Sequence, residues 1–231
     1  MVPALLYLLI KKYIVRNWPA IRKGISQISI SNHVLLVTGF LLLMLLKMLS
    51  LKAQEQQLHY NVVRNGKVIG WTKVSRTSTN EQVDIKLNSE VKTRFVFQFV
   101  VHTIEEAIFH NGNLVYASQF RKLNADVKED KVMKLTSRGY EIYKGQDTQT
   151  LPLVRIGRNI LRLYFEEPFA GENIYSDSFQ QLIKIERMKD GGYRINLPDG
   201  NSSTYYYKKG ICTNVKIDHR FYSAEFQLNQ N

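Results

Sequence analysis

The sequence predicts a mainly β protein: a single strongly curved antiparallel sheet, half-barrel or barrel-like, with one short helix, preceded by an N-terminal hydrophobic helix. Three observations carry this. Hydrophobicity alternates with a period of two from Val83 to Val101. Asn-Gly and Asp-Gly turns recur between short apolar runs. The one long apolar stretch, Val34 to Leu46, stands before Ala53, and no comparable run follows it.

That stretch divides the chain into a leader, residues 1–53, and a β domain, residues 54–231. Thirteen apolar residues, followed by a segment that ends in the small residue Ala53, read as the h-region and cleavage site of an export signal. Lys11, Lys12, Arg16, Arg22 and Lys23 lie upstream, on the side that stays in the cytoplasm. The alternative is a retained signal anchor, because Leu51 suits cleavage less well than Ala. A spanning helix wants about 20 apolar residues, and Val34 to Leu51 offers 18 with Lys47 inside. A lipoprotein-type anchor needs a Cys directly after the apolar run, and the only Cys is Cys212. The expected location is therefore the periplasm or cell envelope, or the inner membrane by an anchor with the β domain outside the cytoplasm. An uncleaved N-terminal segment would make the membrane contact.

Charge follows the same division. All 20 acidic residues lie after Ala53, so the β domain carries a net +5 of the whole-chain +12. That excess is too small and too scattered to argue for nucleic acid. A lone Cys allows no internal disulfide, and Cys212, in an alternating strand pattern, reads as a buried structural thiol.

The elements follow from local chemistry. Leu58–Val63 and Val68–Val74 flank Asn65-Gly66, and Ala107–Phe109 and Leu114–Phe120 flank Asn111-Gly112. Asn-Gly accepts positive φ at both positions, so each pair reads as a hairpin. From Val83 to Val101 the odd positions are largely apolar, while Asp84, Lys86, Asn88, Glu90, Lys92 and Arg94 alternate with them. One face is buried and one is wet. At about 3.3 Å per residue this run would exceed ~60 Å, so it must bend or break. Past Val96 the second face turns apolar as well, which implies cover on both sides. Asp190-Gly191-Gly192 and Pro198-Asp199-Gly200-Asn201 bracket a strand at Tyr193–Leu197. Lys209-Gly210 leads into Ile211, Thr213, Val215 and Ile217, and a slip near Asp218-His219-Arg220 marks a bulge or turn before Ala224, Phe226 and Leu228. Roughly ten locally connected strands imply one curved or closed sheet.

One segment departs from this pattern. Over 152–165, Ile156, Ile160 and Leu163 share one helical stripe, and Arg155, Arg158 and Arg162 another. Pro152 suits a helix start, while Gly157 weakens the helix by about 1 kcal/mol. The segment reads as a helical lid over the sheet. Its arginines either face water or line a mouth that meets an anionic headgroup or carboxylate.

Tyr60-x-Val62-x-x-x-Gly66-x-x-Ile69-Gly70 resembles the opening of a family of uncharacterised exported proteins of Gram-negative bacteria, a domain of unknown function. Tyr164-Phe165-Glu166-Glu167-Pro168, Ile174-Tyr175-Ser176, Tyr193 through Gly200 and Tyr205-Tyr206-Tyr207 match in character, so the resemblance spans about 58 to 228. It implies a curved antiparallel sheet similar to the half-barrels of periplasmic lipoprotein carriers, and supplies no catalytic residues.

Catalytic patterns are sparse. The five histidines show no metal-ligand spacing, so no metal and no cofactor is expected. Glu105-Glu106 and Glu166-Glu167 are adjacent pairs whose side chains point apart, which reads as solvated charge rather than an acid/base dyad. Three functions remain. The first is a binding or carrier module for an apolar or lipid-like ligand, with Phe95, Phe97, Phe99, Arg155, Arg158 and Arg162 as its ligand-binding residues. The second is a structural or envelope-assembly protein that meets a partner protein through an exposed sheet edge. The third is a hydrolase built from His102, Asp218 and His219. A large apolar cavity would mark the first, a filled core with an open edge the second, and convergence of those residues the third.

Overall fold

The computed structural model describes residues 54–94, 98–153 and 155–229. The expected leader, 1–53 with its apolar core 34–46, lies outside the described residues, as do Phe95 and Phe97. The first eight strands are β1 (Gln54–Arg64), β2 (Lys67–Ser78), β3 (Gln82–Arg94), β4 (Gln98–His110), β5 (Asn113–Leu123), β6 (Asp126–Thr136), β7 (Gly139–Lys144) and β8 (Asp147–Leu151). After a 3₁₀ turn, η1 (Ile160–Tyr164), come β9 (Asn173–Ser176), β10 (Gln181–Arg187), β11 (Tyr193–Asn196), β12 (Ser202–Lys208), β13 (Ile211–His219) and β14 (Tyr222–Leu228).

Among the described residues these fourteen strands form one antiparallel sheet in the order β8-β7-β6-β5-β4-β3-β2-β1-β14-β13-β12-β11-β10-β9. The first and last strands of the chain therefore pair at the middle of the sheet, with Tyr60 opposite Leu228 and Val63 opposite Glu225. The Asn65-Gly66 and Asn111-Gly112 hairpins form as expected, with positive φ at all four residues. Strands beyond the roughly ten expected come chiefly from 126–151, where polar side chains on the outer face hide the alternation.

The long run Val83–Val101 breaks rather than bends. It reverses after Arg94, and β3 pairs back on β4 with Val91 opposite Val101 and Thr93 opposite Phe99. Odd residues meet odd residues in this register, so the described residues of both halves of the expected apolar face stay on the inner side. The slip at Asp218–Arg220 is likewise a turn, because His219 pairs with Tyr222 across it.

Curvature comes from local irregularities. Register shifts interrupt the pairing at Val62/Val63, Ile108/Phe109, Arg121/Lys122 and Tyr206/Tyr207, and each extra residue bends and twists its strand. Gly70 sits beside the first of them. A Cβ there would run into the Glu90 carbonyl oxygen, so only glycine lets β2 and β3 approach this closely. The sheet rolls until β9 reaches the inner side of β6, where the Tyr175 hydroxyl lies 3.3 Å from the Met133 sulfur.

Every odd-numbered strand ends at one end of the roll, called here the open end. The other end is closed by the connection between β8 and β9. This connection corrects the expected helix over 152–165. Among its described residues only Ile160–Tyr164 is helical, as a single 3₁₀ turn, and Asn159 before it is extended (φ −121°, ψ 178°). The Ile156 N–H donates to Asn113 Oδ1 (3.1 Å) and the Tyr140 hydroxyl oxygen (3.1 Å), and its carbonyl accepts from Leu114 (2.8 Å). The backbone at Ile156 thus bonds to the barrel rim instead of to its own neighbours. The connection still acts as a cover: Ile156, Leu161, Leu163, Tyr164 and Phe165 join the core that β-strand residues Tyr60, Val74, Ile85, Phe109, Tyr140, Ile185 and Val215 build from the wall. Burying each such side chain contributes about 1.5–3 kcal/mol. Tyrosines key the turn in place: Tyr164 meets Tyr60 and Tyr205 edge-on, with ring centroids 5.4 and 6.4 Å apart, and the Tyr207 hydroxyl donates to the Leu163 carbonyl at 2.8 Å.

Candidate functional site

The arginine stripe does not line a mouth. Arg158 donates to Glu172 at 2.7 Å and to Glu166 at 3.0 Å, Arg162 donates to Glu166 at 2.9 Å, and Arg76 of β2 reaches the same carboxylate at 3.3 Å. The Arg158 and Arg162 side chains are only 17% exposed, so the expectation that they face water is corrected. The Arg162 guanidinium also lies over the Phe109 ring at 4.7 Å, and that of Arg76 over Phe165 at 5.3 Å. Arg155 alone of the three stays exposed. Glu166, expected to be solvated, is the hub of this clamp because the 3₁₀ turn folds it back against β2. Glu167 turns away and accepts from the Tyr193 hydroxyl at 3.0 Å.

Of the six expected ligand residues, the four described ones, Phe99, Arg155, Arg158 and Arg162, are not brought together. Phe99 is half-buried on the inner face near the open end, opposite Thr93, while the arginines close the other end. The eight-residue offset along β4 from Phe99 to Ala107, beside the clamp's level, corresponds to about 26 Å. Between the two ends, β4, β5 and β6 carry a polar seam on the inner face. Register aligns Glu105, Gln119 and Lys131 across β4, β5 and β6. The β9–β10 turn lies against them: Gln119 Nε2 donates to Glu105 at 3.0 Å and to Ser178 at 3.2 Å, and Asn159 donates to Asp177 at 2.9 Å. Burial raises the Glu105 carboxyl and lowers the Lys131 ammonium from their ordinary values. Burial, with Glu105 nearby, pushes Asp177 up to about 7. The voids along this seam measure about 10 and 20 Å³, against the several hundred that a bound organic ligand fills. The interior around the seam is packed.

The hydrolase residues do not converge. His102 lies on β4 opposite Glu90, and Asp218 and His219 end β13. Five strand spacings separate them, about 24 Å along the sheet, and His219 is stacked on Tyr222 at 4.6 Å. Glu105 and Glu106 face opposite sides, the latter held by Lys86 at 2.9 Å. Cys212 is fully buried, and burial pushes its thiol up to about 12, as suits a structural residue. Among the described residues no group of His, Cys, Asp and Glu could hold a metal ion, and no helix is long and apolar enough to cross a membrane.

The two sheet edges differ. At β9 the connection supplies cover: the Tyr175 N–H donates to the Arg158 carbonyl at 3.0 Å, and Asn159 bridges to Tyr175. At β8, Asp147, Thr148, Gln149 and Thr150 are exposed, and among the described residues pairing is with β7 alone. Lys144 and Asp147 flank a two-residue turn and form its hydrogen-bonded closing pair. Asp147, Gln149 and Leu151 therefore bond to β7, while Thr148 and Thr150 turn their N–H and C=O groups outward. Residues 147–151 carry no apolar alternation and escape sequence reading. The signal that could have found them is Gly145 (φ 59°), the first central residue of a Gly-X hairpin turn.

A family described as a domain of unknown function, DUF6134, matches residues 60–229, and the chain belongs to that family. Its fold is similar to that in the crystal structure of a beta-barrel-like protein of domain of unknown function DUF1849 from Brucella abortus. The two are 11% identical, with a TM-score of 0.49 over 78% of this chain and 98% of that one. No curated protein matches the sequence.

Proposed function

We propose that this DUF6134 protein is an interaction module of the cell envelope, exported or membrane-anchored by its N-terminal segment, that captures an extended segment of a partner protein along β8. The observation that carries this is the contrast between edges: β9 is covered by Arg158 and Asn159, whereas the Thr148 and Thr150 backbone groups face solvent. An edge without Pro or Lys, and without covering chain among the described residues, is a template for strand addition. The packed β4–β6 seam supports the same reading over a carrier that encloses its ligand there.

The test places a photo-cross-linking side chain at Gln149, and in a control at Asp84 on the outer face of β3, in intact cells. A discrete adduct at Gln149 is expected, and Thr148→Pro should abolish it. That proline removes an outward N–H without breaking a bond to β7. If Gln149 gives no adduct while native mass spectrometry finds an extractable apolar molecule on the purified protein, the carrier function replaces this one.

A further inference from the structure

The outward side of β8 is its own complement. Pairing with β7 sets Asp147, Gln149 and Leu151 opposite Lys144, Ile142 and Tyr140. Among the described residues the unpaired backbone groups of this edge therefore belong to Thr148 and Thr150, which alternate with them. Thr148-Gln149-Thr150 reads the same in both directions. A second copy arriving antiparallel, with a two-fold axis at Gln149, would set Thr148 against Thr150 of that copy, and Thr150 against its Thr148. Both are hydrogen-bonded pairs, each exchanging an N–H and a C=O in both senses, so all the outward groups of the two threonines are satisfied. The two Gln149 residues meet at a non-hydrogen-bonded pair, about 4.5 Å between Cα atoms, where each amide can donate to and accept from the other. Asp147 falls opposite Leu151, so no like charges face each other. Charge on the neighbouring strand is paired within the chain, Lys144 with Glu129 at 3.3 Å and Glu141 with Arg138 at 2.6 Å.

We propose that the extended segment captured along β8 is β8 of a second copy of this chain, in a two-fold dimer whose sheet runs on through the edge. This rests on the reading of β8 as a strand-capturing edge and names its partner. A neutral Thr-Gln-Thr surface offers little to a charged peptide, whereas facing threonines and facing glutamines are favourable cross-strand pairs. Two-fold pairing uses the same strand on both copies. Each edge is then closed by the other, and the assembly stops at two instead of growing into a fibre.

The test introduces Gln149→Cys into the full chain in intact cells and follows disulfide-linked dimer after addition of copper phenanthroline. Residues facing each other at the axis fall within the ~4.4–6.8 Å Cα separation that a disulfide spans. Asp147→Cys is the control, because the proposed register holds the two copies of residue 147 about 14 Å apart along the strand. The native thiol, Cys212, is buried and stays out of the reaction. Dimer should form about tenfold faster with Gln149→Cys than with Asp147→Cys, as the geometry of the bond requires. Adding Thr148→Pro, which removes an outward N–H from each copy, should suppress it, while Cys212 still resists iodoacetamide and so reports an intact fold. Equal dimer from both cysteines, or undiminished dimer with Thr148→Pro, would overturn the pairing. No dimer, with the photo-cross-linker at Gln149 still joined to a different protein, would overturn the second copy and leave strand capture standing. No dimer and no adduct would overturn both.

Discussion

Arg158 and Glu166 meet at 3.0 Å, both largely withdrawn from solvent, where the β8–β9 connection folds back over the end of the roll. Glu166 also receives Arg162 and Arg76, so three guanidiniums share one carboxylate, with Glu172 a second partner for Arg158 alone. Glu166→Gln should lower unfolding stability by about 1–3 kcal/mol, because it leaves partly buried guanidiniums without their counter-charge. Replacing exposed Arg155 by Gln should cost under ~0.5 kcal/mol. Urea midpoints of the two variants check the contrast; equal losses would refute the clamp.

Two tyrosine hydroxyls bind buried carbonyls from different sides. Tyr60 donates to Cys212 at 2.7 Å within the wall, and Tyr207 donates to Leu163 at 2.8 Å across to the 3₁₀ turn. Each change to Phe should cost about 1–2 kcal/mol. Hydrogen exchange should separate them: Tyr207→Phe is expected to speed exchange in 156–166, whereas Tyr60→Phe should act through the strands it joins. Identical exchange patterns would argue against a separately keyed turn.

Stability should depend on pH through Asp177. Its folded-state value is raised, to about 7, so from roughly pH 4 to pH 7 the folded protein holds a proton that the unfolded chain has lost. Its contribution is therefore full below the unfolded value and declines as pH rises through the folded one. A single group imposes at most about 1.4 kcal/mol per pH unit. Glu105 and Lys131 face the same seam, so the comparison must be between the protein and Asp177→Asn. Thermal unfolding from pH 4.5 to 7.5 should fall more steeply with pH in the former; parallel curves would remove Asp177 from the seam's titration.

Cys212 should resist alkylation while the protein is folded. Its thiol is buried and pushed up to about 12, and the thiolate is the reactive form. Iodoacetamide at pH 8 should leave the folded mass unchanged over hours and add one adduct promptly in urea. Prompt labelling without denaturant would show that the 206–212 hairpin opens.

The candidate sites were legible in the sequence only in part. Arg158 and Arg162 stand out by spacing, but their partner Glu166 does not, because the chain between them must first leave the helical path for the two to meet. Phe99 keeps its inward face through the β3–β4 reversal, yet lies far along the barrel from the arginines it was grouped with. The β8 edge was missed because its side chains are polar on both faces, and an edge is identified by which backbone groups lack partners, which no residue type encodes.

What the sequence determined by itself is local. Positive-φ tolerance at Asn65-Gly66 and Asn111-Gly112 makes hairpins wherever those residues occur, and odd-position apolarity from Val83 to Val101 sets which face turns inward. Those choices depend on backbone sterics and on water, both felt within a few residues. What only the tertiary structure decided is non-local: the pairing of β1 with β14, the roll that brings Tyr175 onto Met133, and the closure in which Glu166 gathers Arg76, Arg158 and Arg162. The segment 152–165 shows the physical reason. Its apolar spacing would serve a helix, but Asn113 and Tyr140 offer its backbone hydrogen bonds from a distant rim. The chain takes the conformation that satisfies those groups and buries Ile156, Leu161 and Leu163 together.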